Sequence, residues 1–427
     1  MKKQWSALAL LLATACAPAQ QMNMGGPPST FIEAIEHHAS SGTSSQPNST
    51  PAPMLMTMKG NWMLMFHASV FIVDTQQTSP RGHDKFFSTN WFMPMAQRSL
   101  GPGQLTLRAM FSLEPATITD RQYPLLFQQG ETAYGRPIVD GQHPHDFVME
   151  IAALYDWRLG ENTLLSFYAA PVGDPAIGPV AYPHRYSASE DPVAALGHHQ
   201  EDSTHIAADV VTVGLTHGIA RLEASGFHGR EPNEHRWQIQ QGAVDSWSTR
   251  LTLQPGQNWS GQYSYAFIHS PEQLFPDEDQ RRMTASIMYN RPFRNRATGN
   301  WSSSAIWGRT RTGSDNLIQN SYLFESLVRF ATRNYAWTRL ENVDRTTELL
   351  LDEQPVPPGF DEQSAGRVQA YTFGYDRDFD VIPHLASALG AQVTAYSVGS
   401  KLQPTYGSDP IGVSVFLRLR PFGHSGR

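Results

Sequence analysis

The sequence predicts an all-β chain that folds as a transmembrane antiparallel β-barrel. Segments long enough to cross a bilayer as tilted strands alternate apolar with polar side chains throughout the chain. Tight turns and long links alternate between those segments. Because successive side chains of a strand point to opposite faces, each segment offers one face to lipid and the other to a polar lumen.

The alternation is clearest in the last segment. Its apolar face carries Ile411, Val413, Val415, Leu417 and Leu419, and its polar face carries Gly412, Ser414, Arg418 and Arg420, with Phe416 as the exception. A half-buried strand of a soluble β-sandwich alternates in the same way, so one segment alone does not distinguish a transmembrane barrel from a soluble sandwich. The same pattern recurs at 104–114, 246–253, 282–290 and 385–395, and this recurrence favours the barrel.

The alternating segments number about sixteen, and counts of about fourteen to eighteen fit within the usual error of strand boundaries. Short links, such as Gly101-Pro102-Gly103 and His217-Gly218, alternate with long links at 115–145, 172–204, 230–244 and 347–363. Outer-membrane barrels have short periplasmic turns and longer extracellular loops. The order of the links therefore predicts that both termini face the periplasm.

The start of the chain predicts export. Residues 1–19 combine Lys2 and Lys3 with an apolar run and a small-residue cleavage site, as in a signal peptide. Cleavage before Cys16 would instead give a lipoprotein, and lipidation of Cys16 stays open. Residues 20–60 are polar and predict a flexible periplasmic leader, with a short helix begun by the capping box Thr30-x-x-Glu33. The barrel is then predicted over 61–422.

Composition narrows the function. The formal net charge of −7 gives no reason to expect nucleic-acid binding. After the signal no stretch of about 18 apolar residues remains, which excludes a helical inner-membrane protein. The bacterial outer membrane is therefore the predicted location. The predicted partners are outer-membrane lipid and lipopolysaccharide, the barrel-assembly machinery and, by analogy with porins, two further copies in a homotrimer.

Methionine and histidine alternate around the first barrel strand. Met54, Met56 and Met58 are spaced two apart, and Met63, Met65 and His67 repeat that spacing on the predicted lumen side. Residues two apart in a strand share a face, and thioether with imidazole is a ligand set for Cu(I). The alternative interpretation is that methionine only fills apolar space as an unbranched side chain.

Histidines are concentrated in and beside the predicted outer loops. The candidate ligands of a divalent metal there are His143, His145, Asp146, His198, His199 and His205. If these loops pack together over the mouth of the barrel, their side chains form a metal site or an acid–base pair. Alternatively, they donate hydrogen bonds that hold a folded lid.

The third outer loop is rich in proline. Pro175, Pro179 and Pro183, followed by His184 and Arg185, lie in a long segment without periodicity. In porins a third loop of this kind folds into the barrel, and so this segment is predicted to constrict the lumen. Alternatively, proline hardens an exposed loop against proteolysis.

A hydrolytic barrel is a second class of function, with a His/Asp/Glu cluster in the extracellular loops acting at the surface. The sequence contains no Gly-x-Ser-x-Gly elbow, and so no catalytic residue and no organic cofactor is assigned. A third class is a non-conducting structural barrel whose own side chains fill the lumen.

Several longer runs resemble a functionally uncharacterised family of bacterial outer-membrane β-barrel proteins. These runs include PMLMTMKGNWMLMFH, FFSTNWFMPMAQR, DGQHPHDF, HRYSASEDP and SGFHGREP. Members of that family have Met/His-rich leaders and are often associated with resistance to copper or other heavy metals, although this leader carries fewer Met and His residues. Residues and resemblance together predict a porin-like channel or transport component that handles soft metal ions such as copper.

Overall fold

A computed structural model describes residues 28–202, 207–293, 299–313, 317–351, 355–382 and 385–421. Sixteen of its antiparallel strands close into one barrel, which confirms the predicted fold class and strand number. No helix of the described residues is long and apolar enough to cross a membrane.

The strands are numbered in chain order, and β2–β4 with β9–β21 form the barrel. They are β1 (Leu55–Lys59), β2 (Trp62–Gln77), β3 (Lys85–Leu100), β4 (Gly103–Phe111), β5 (Tyr123–Pro124), β6 (Glu131–Ala133), β7 (Arg136–Ile138), β8 (Gly141–Gln142), β9 (Val148–Gly160), β10 (Thr163–Val172), β11 (Ala208–His217), β12 (Ala220–His228), β13 (Ser246–Gly256), β14 (Trp259–Ile268), β15 (Gln280–Pro292), β16 (Asn300–Thr312), β17 (Leu317–Phe330), β18 (Asn334–Thr346), β19 (Ser364–Ile382), β20 (Leu385–Val398) and β21 (Ile411–Arg420).

The described part of the chain also contains short helices, one before β1 and three between strands. They are α1 (Phe31–Glu36), α2 (Glu114–Thr117), α3 (His198–Glu201) and α4 (Gln403–Tyr406), with 3-10 turns at Tyr186–Ala188 and Thr347–Leu350.

β2 closes the barrel. One of its edges pairs with β3, and the other pairs with β21, where Val70 lies opposite Leu419. β1 folds back on the start of β2 and occupies the edge beyond the end of β21, with Leu55 opposite Phe66. The strands β5 with β8 and β6 with β7 form two small hairpin sheets apart from the barrel.

The connections alternate as predicted. One end of the barrel, the turn end, carries tight connections such as 161–162 and 218–219. The other, the loop end, carries loop 2 (112–147) and loop 3, described over 173–202. The described barrel begins in β2 and finishes in β21 at the turn end.

The outer face of the barrel is an apolar belt. Val211, Val213 and Leu215 of β11 are exposed, whereas the alternate residues Thr212 and Thr216 are buried in the lumen. Phe416, the exception in the last strand, points inward and packs against Phe71, with ring centroids 5.4 Å apart. The alternation read from the sequence therefore sorts the two faces correctly, and Phe416 belongs to an aromatic patch of the lumen.

Residues 31–49 of the leader pack inside the barrel. Helix α1 buries Phe31, Ile32 and Ile35 against Leu164 on the inner wall. The guanidinium of Arg108 then donates to the carbonyl oxygens of Ser40 and Gly42, each over 2.6 Å. This polar segment is predicted to be flexible, and hydrogen bonds join its described part to a polar lumen that offers many partners.

Loop 3 crosses the middle of the lumen. Arg185 is fully buried there between Asp202 and Glu325, and its Nε lies 2.8 Å from a Glu325 oxygen. Arg339 completes the group by donating to Glu325 over 3.0 Å and to Asp191 over 3.0 Å. Buried charges persist only when they are paired in this way, so the network fixes loop 3 to the wall.

Candidate metal centres

Strand register brings methionines of three adjacent strands into rows. Met56 of β1 lies opposite Met65 of β2, and Met65 lies opposite Met95 of β3. In the next lumen-facing row, His67 lies opposite Met93. Because adjacent strands of a sheet are about 5 Å apart, the side chains of each row are in contact range.

Two further strands extend this patch around the wall. Met110 comes from β4, and Met149 comes from β9 next to a register shift that re-aims its side chain, as β-bulges do. We call the whole group the methionine cluster. Its buried members are Met65, Met93, Met95 and Met110, and its partly buried members are Met54, Met56, Met63 and Met149.

Two imidazoles and an indole adjoin the methionine cluster. The ring centroids of His67 and His184 are 5.5 Å apart, and Trp91 lies 5.0 Å from His67 and 4.4 Å from His184. The Nε2 of His184 lies 3.3 Å from the Met110 sulfur. Burial lowers the pKa of His184 well below its usual value, so this ring is neutral. The buried Nε2 of His67 has no hydrogen-bond partner.

A cavity of about 630 Å³ runs along this wall. His67, Trp91 and His184 line it beside Met54 and Met149, and the leader and loop 3 form its opposite side. Soft ligand atoms therefore face an internal space that is large enough for an ion with its remaining water.

The structure places the predicted soft-metal residues as their spacing indicates. Met63, Met65 and His67 all project from the lumen side of β2, whereas Met58 is largely exposed. The residues predicted from the sequence do not include Met93, Met95, Met110 or Met149, and they include His184 as part of the constriction loop. The alternation of Met93 and Met95 in the next strand is the signal that predicts part of this set.

A second group of ligand atoms lies in loops 2 and 3. The Nε2 of His143 lies 2.6 Å from an oxygen of Glu131, and His199 contacts the same oxygen. The three ligand atoms lie within 4.8 Å of one another, which makes the group a candidate metal site. Glu131 carries no sequence signal, because a single acidic residue in a long loop has no distinctive spacing.

The other predicted loop ligands lie in separate pairs. His145 contacts Glu114 over 2.8 Å, and although burial opposes its charge, this carboxylate raises the pKa of His145. Burial raises the pKa of Asp146 to about 6, and the carboxylate receives a hydrogen bond from Arg236. His198 lies 3.0 Å from the Gln142 side-chain oxygen, and its ring packs on that of His199, with centroids 3.9 Å apart. His205 lies outside the described residues.

The predicted constriction residues all lie within the part of loop 3 that enters the barrel. Pro175 and Pro179 are buried, Pro183 and His184 line the cavity, and Arg185 holds the central ion pairs.

An apolar outer belt, a polar lumen and a long inserted loop define a porin-type barrel fold. Neither a protein-family model nor a curated protein sequence matches this chain. Among solved structures, OmpF of Salmonella typhi in complex with daunomycin superposes with a TM-score of 0.51 at 6% identity, covering 85% of this chain and 100% of that one. At this identity the likeness shows the fold alone.

Two further barrels resemble the chain more loosely. The anion-selective porin from Comamonas acidovorans has a TM-score of 0.49 at 9% identity, covering 84% of this chain and 99% of that chain. A loop-deletion mutant of OmpT, an outer-membrane protein of Vibrio cholerae, has a TM-score of 0.45 at 7% identity, with coverages of 84% and 99%.

Proposed function

We propose that the protein is an outer-membrane transport component that holds soft metal ions, Cu(I) or the similar Ag(I), on the methionine cluster of a constricted lumen. The observation that carries this proposal is the convergence of methionines from five strands or strand edges on one wall, beside His67 and His184. If methionine served here only to fill apolar space, leucine, isoleucine and valine would be expected among the side chains around the two imidazoles.

The ligand chemistry supports a transient site. Thioether and imidazole are neutral ligands that bind soft cations in preference to Mg²⁺ or Ca²⁺. Neutral ligands do not hold an ion by charge, so they release it more readily than thiolates do. The cavity beside His67 and Trp91 gives such an ion a place to exchange its ligands.

The apolar belt supports a location in the outer membrane, in contact with its lipid and lipopolysaccharide. Short turns at one end and long loops at the other support periplasmic termini, and the barrel-assembly machinery would insert such a chain. A trimer is part of the proposal only by analogy of fold.

Binding is tested first with the refolded full-length mature chain and Ag⁺ in nitrate buffer. We expect a Met65→Leu/Met93→Leu/Met95→Leu variant, which keeps the apolar volume, to lose at least tenfold in Ag⁺ affinity. Met288→Leu is the matched control, since Met288 is also buried on the lumen side but lies in β15, outside the methionine cluster. Equal affinity of both variants and wild type would contradict the metal proposal.

Transport is tested by single-channel recording in planar bilayers. We expect small ohmic steps that Ag⁺ blocks in wild type and in Met288→Leu, and that survive Ag⁺ in the triple variant. The leader and loop 3 inside the lumen also favour a second candidate, a non-conducting barrel. A folded barrel that binds Ag⁺ without any conductance would favour that candidate over a channel.

A further inference from the structure

We propose that Glu131, His143 and His199 form a binding site for a borderline divalent cation such as Zn²⁺, and that the cation clamps loop 2 to loop 3 at the loop end. This site is independent of the methionine cluster, and its ligands are nitrogen and oxygen instead of sulfur. Two imidazole nitrogens and one carboxylate oxygen suit Zn²⁺, and three protein ligands leave a fourth position for water.

The position of the proton on the His143 imidazole is the first observation that favours a cation. Its Nδ1 lies 2.7 Å from the Pro144 carbonyl oxygen, which can only accept, so Nδ1 carries the proton. In the neutral ring, Nε2 then carries a lone pair, and it lies 2.6 Å from the Glu131 oxygen. Two lone pairs at that distance repel each other unless a proton or a cation lies between them.

The second observation is that the Nε2 of His199 contacts the same Glu131 oxygen. One cation bonded to all three atoms satisfies both rings and the carboxylate together. Zn²⁺ bonds of about 2.0 to 2.1 Å place tetrahedral ligand atoms roughly 3.3 Å apart, so each imidazole nitrogen needs to move away from the Glu131 oxygen by less than about 1 Å.

The three ligands come from separate pieces of the loop end. Glu131 lies on β6 and His143 follows β8, both within loop 2, whereas His199 lies on α3 of loop 3. The ring of His199 packs against that of His198, with centroids 3.9 Å apart, and the Gln128 side-chain nitrogen lies 3.4 Å from its Nδ1 as a donor. A cation bound to all three side chains would therefore tie loop 2 to loop 3.

The surroundings of the site hold the segment of Glu131 in place and admit solvent. The carboxylate of Glu348 accepts a hydrogen bond from the backbone of Gly130, next to Glu131. The His199 side chain is 14% exposed and gives solvent a path to the site.

The test is Zn²⁺ titration calorimetry at about pH 7.5 on the refolded full chain, with folding checked by the heat-dependent gel shift of barrels. We expect one site in wild type, and at least tenfold weaker binding in His143→Ala and in Glu131→Gln. His199→Gln serves as a second ligand variant because its partly exposed site tolerates the change. His269→Ala is the matched control, since His269 pairs with Asp279 in another, exposed loop.

The clamp is tested by hydrogen exchange on the same samples. Zn²⁺ should slow amide exchange in 128–145 and 198–202 of wild type and leave 229–245 unchanged. A folded wild type that takes up no Zn²⁺, or ligand variants that bind as wild type does, would overturn the site. Zn²⁺ binding with unchanged exchange in both segments would overturn the clamp. Neither result depends on Ag⁺ binding, so failure of the methionine cluster proposal remains a separate outcome.

Discussion

The carboxylate of Asp140 joins three loops at the loop end. Its oxygens accept from the backbone of Phe127 over 2.8 Å, from Arg81 over 3.0 Å and from the Tyr406 hydroxyl over 2.9 Å. Burial raises the pKa of Asp140 to about 6, and the three donors only partly offset this effect. The ionised Asp140 carboxylate is therefore less favourable in the folded protein than in the unfolded chain, and the contribution of Asp140 to stability depends on pH.

Asp140 should make the closed loops less stable as the pH rises. The folded pKa of about 6 exceeds the unfolded value of 3.8, so the stabilisation is complete below pH 3.8 and is lost as the pH passes 6. The full loss is at most about 3 kcal/mol. We expect Asp140→Asn to remove this component, measured as the wild-type minus variant difference in unfolding free energy between pH 4 and 7.

Asp120→Asn is the control for that measurement, since the Asp120 side chain is 85% exposed in the same loop 2. An identical pH dependence in wild type and Asp140→Asn would show that other buried carboxylates, such as Asp146, dominate the response.

Individual ligands were predictable only where one strand carried them. A two-residue spacing relates Met63, Met65 and His67. Side chains two residues apart in a strand point to the same face, so this spacing alone predicts that the three lie together. Met93 and Met95 share the same two-residue spacing, but their contact with Met65 and His67 depends on the register between β2 and β3, and the contact of His184 depends on the path of loop 3. Such contacts are set by the closed barrel, and no spacing within a single segment encodes them.

Among the elements, loop 3 is pinned at Gly178. Its backbone nitrogen donates to the Ser264 hydroxyl over 2.9 Å, and its carbonyl accepts from Arg250 over 3.1 Å. Gly178 has φ +68°, and an added Cβ would lie 2.3 Å from the backbone oxygen of Glu201 on the returning arm of the loop. Both the backbone conformation and the close approach therefore require glycine.

Gly178→Ala should loosen loop 3 within an intact barrel. The left-handed conformation alone costs alanine about 1 to 2 kcal/mol, and the contact with Glu201 adds to it. Gly135→Ala is the matched control, because Gly135 has φ +71° with nothing within 4 Å of the added Cβ. We expect faster amide exchange over 176–202 and a lower unfolding temperature in Gly178→Ala than in Gly135→Ala. Equal effects of the two substitutions would mean that the close approach to Glu201 does not destabilise the Gly178→Ala variant.

Some elements are determined by residues close in the sequence, and others depend on distant parts of the fold. Strands and turns follow from alternation and turn residues, and so their number and order were predicted. The start of α1 was also predicted, since the Thr30 hydroxyl accepts from the backbone of Glu33, but the Glu33 carboxylate binds Ser29 instead of returning to Thr30. The leader's Ser, Thr and Pro residues suit a flexible chain as well as a polar lumen, and composition does not separate the two.

For the whole molecule, ion pairs turn the lumen into a filled core. Arg418 lies 2.7 Å from Glu190 of loop 3, and Arg250 binds Glu223 on the opposite side while donating to the Gly178 carbonyl. The alternation in the sequence predicted a polar lumen but left open whether the barrel's own side chains fill it. Which charges meet depends on where loop 3 folds, and that is a property of the assembled barrel.

The leader should behave as a removable plug of this assembly. Its contacts with the wall include Arg108 with Ser40 and Gln254 with Gln46, yet Arg108 keeps its buried partner Glu150 when the leader is absent. A chain that begins at residue 55 should therefore still fold, and we expect it to conduct more in planar bilayers than a chain that begins at residue 20. A synthetic peptide of residues 28–54 should restore the smaller conductance only from the side that the turn end faces. Equal conductance of the two chains would mean that loop 3 alone limits the path, while block from both sides would mean that the peptide acts without entering its site.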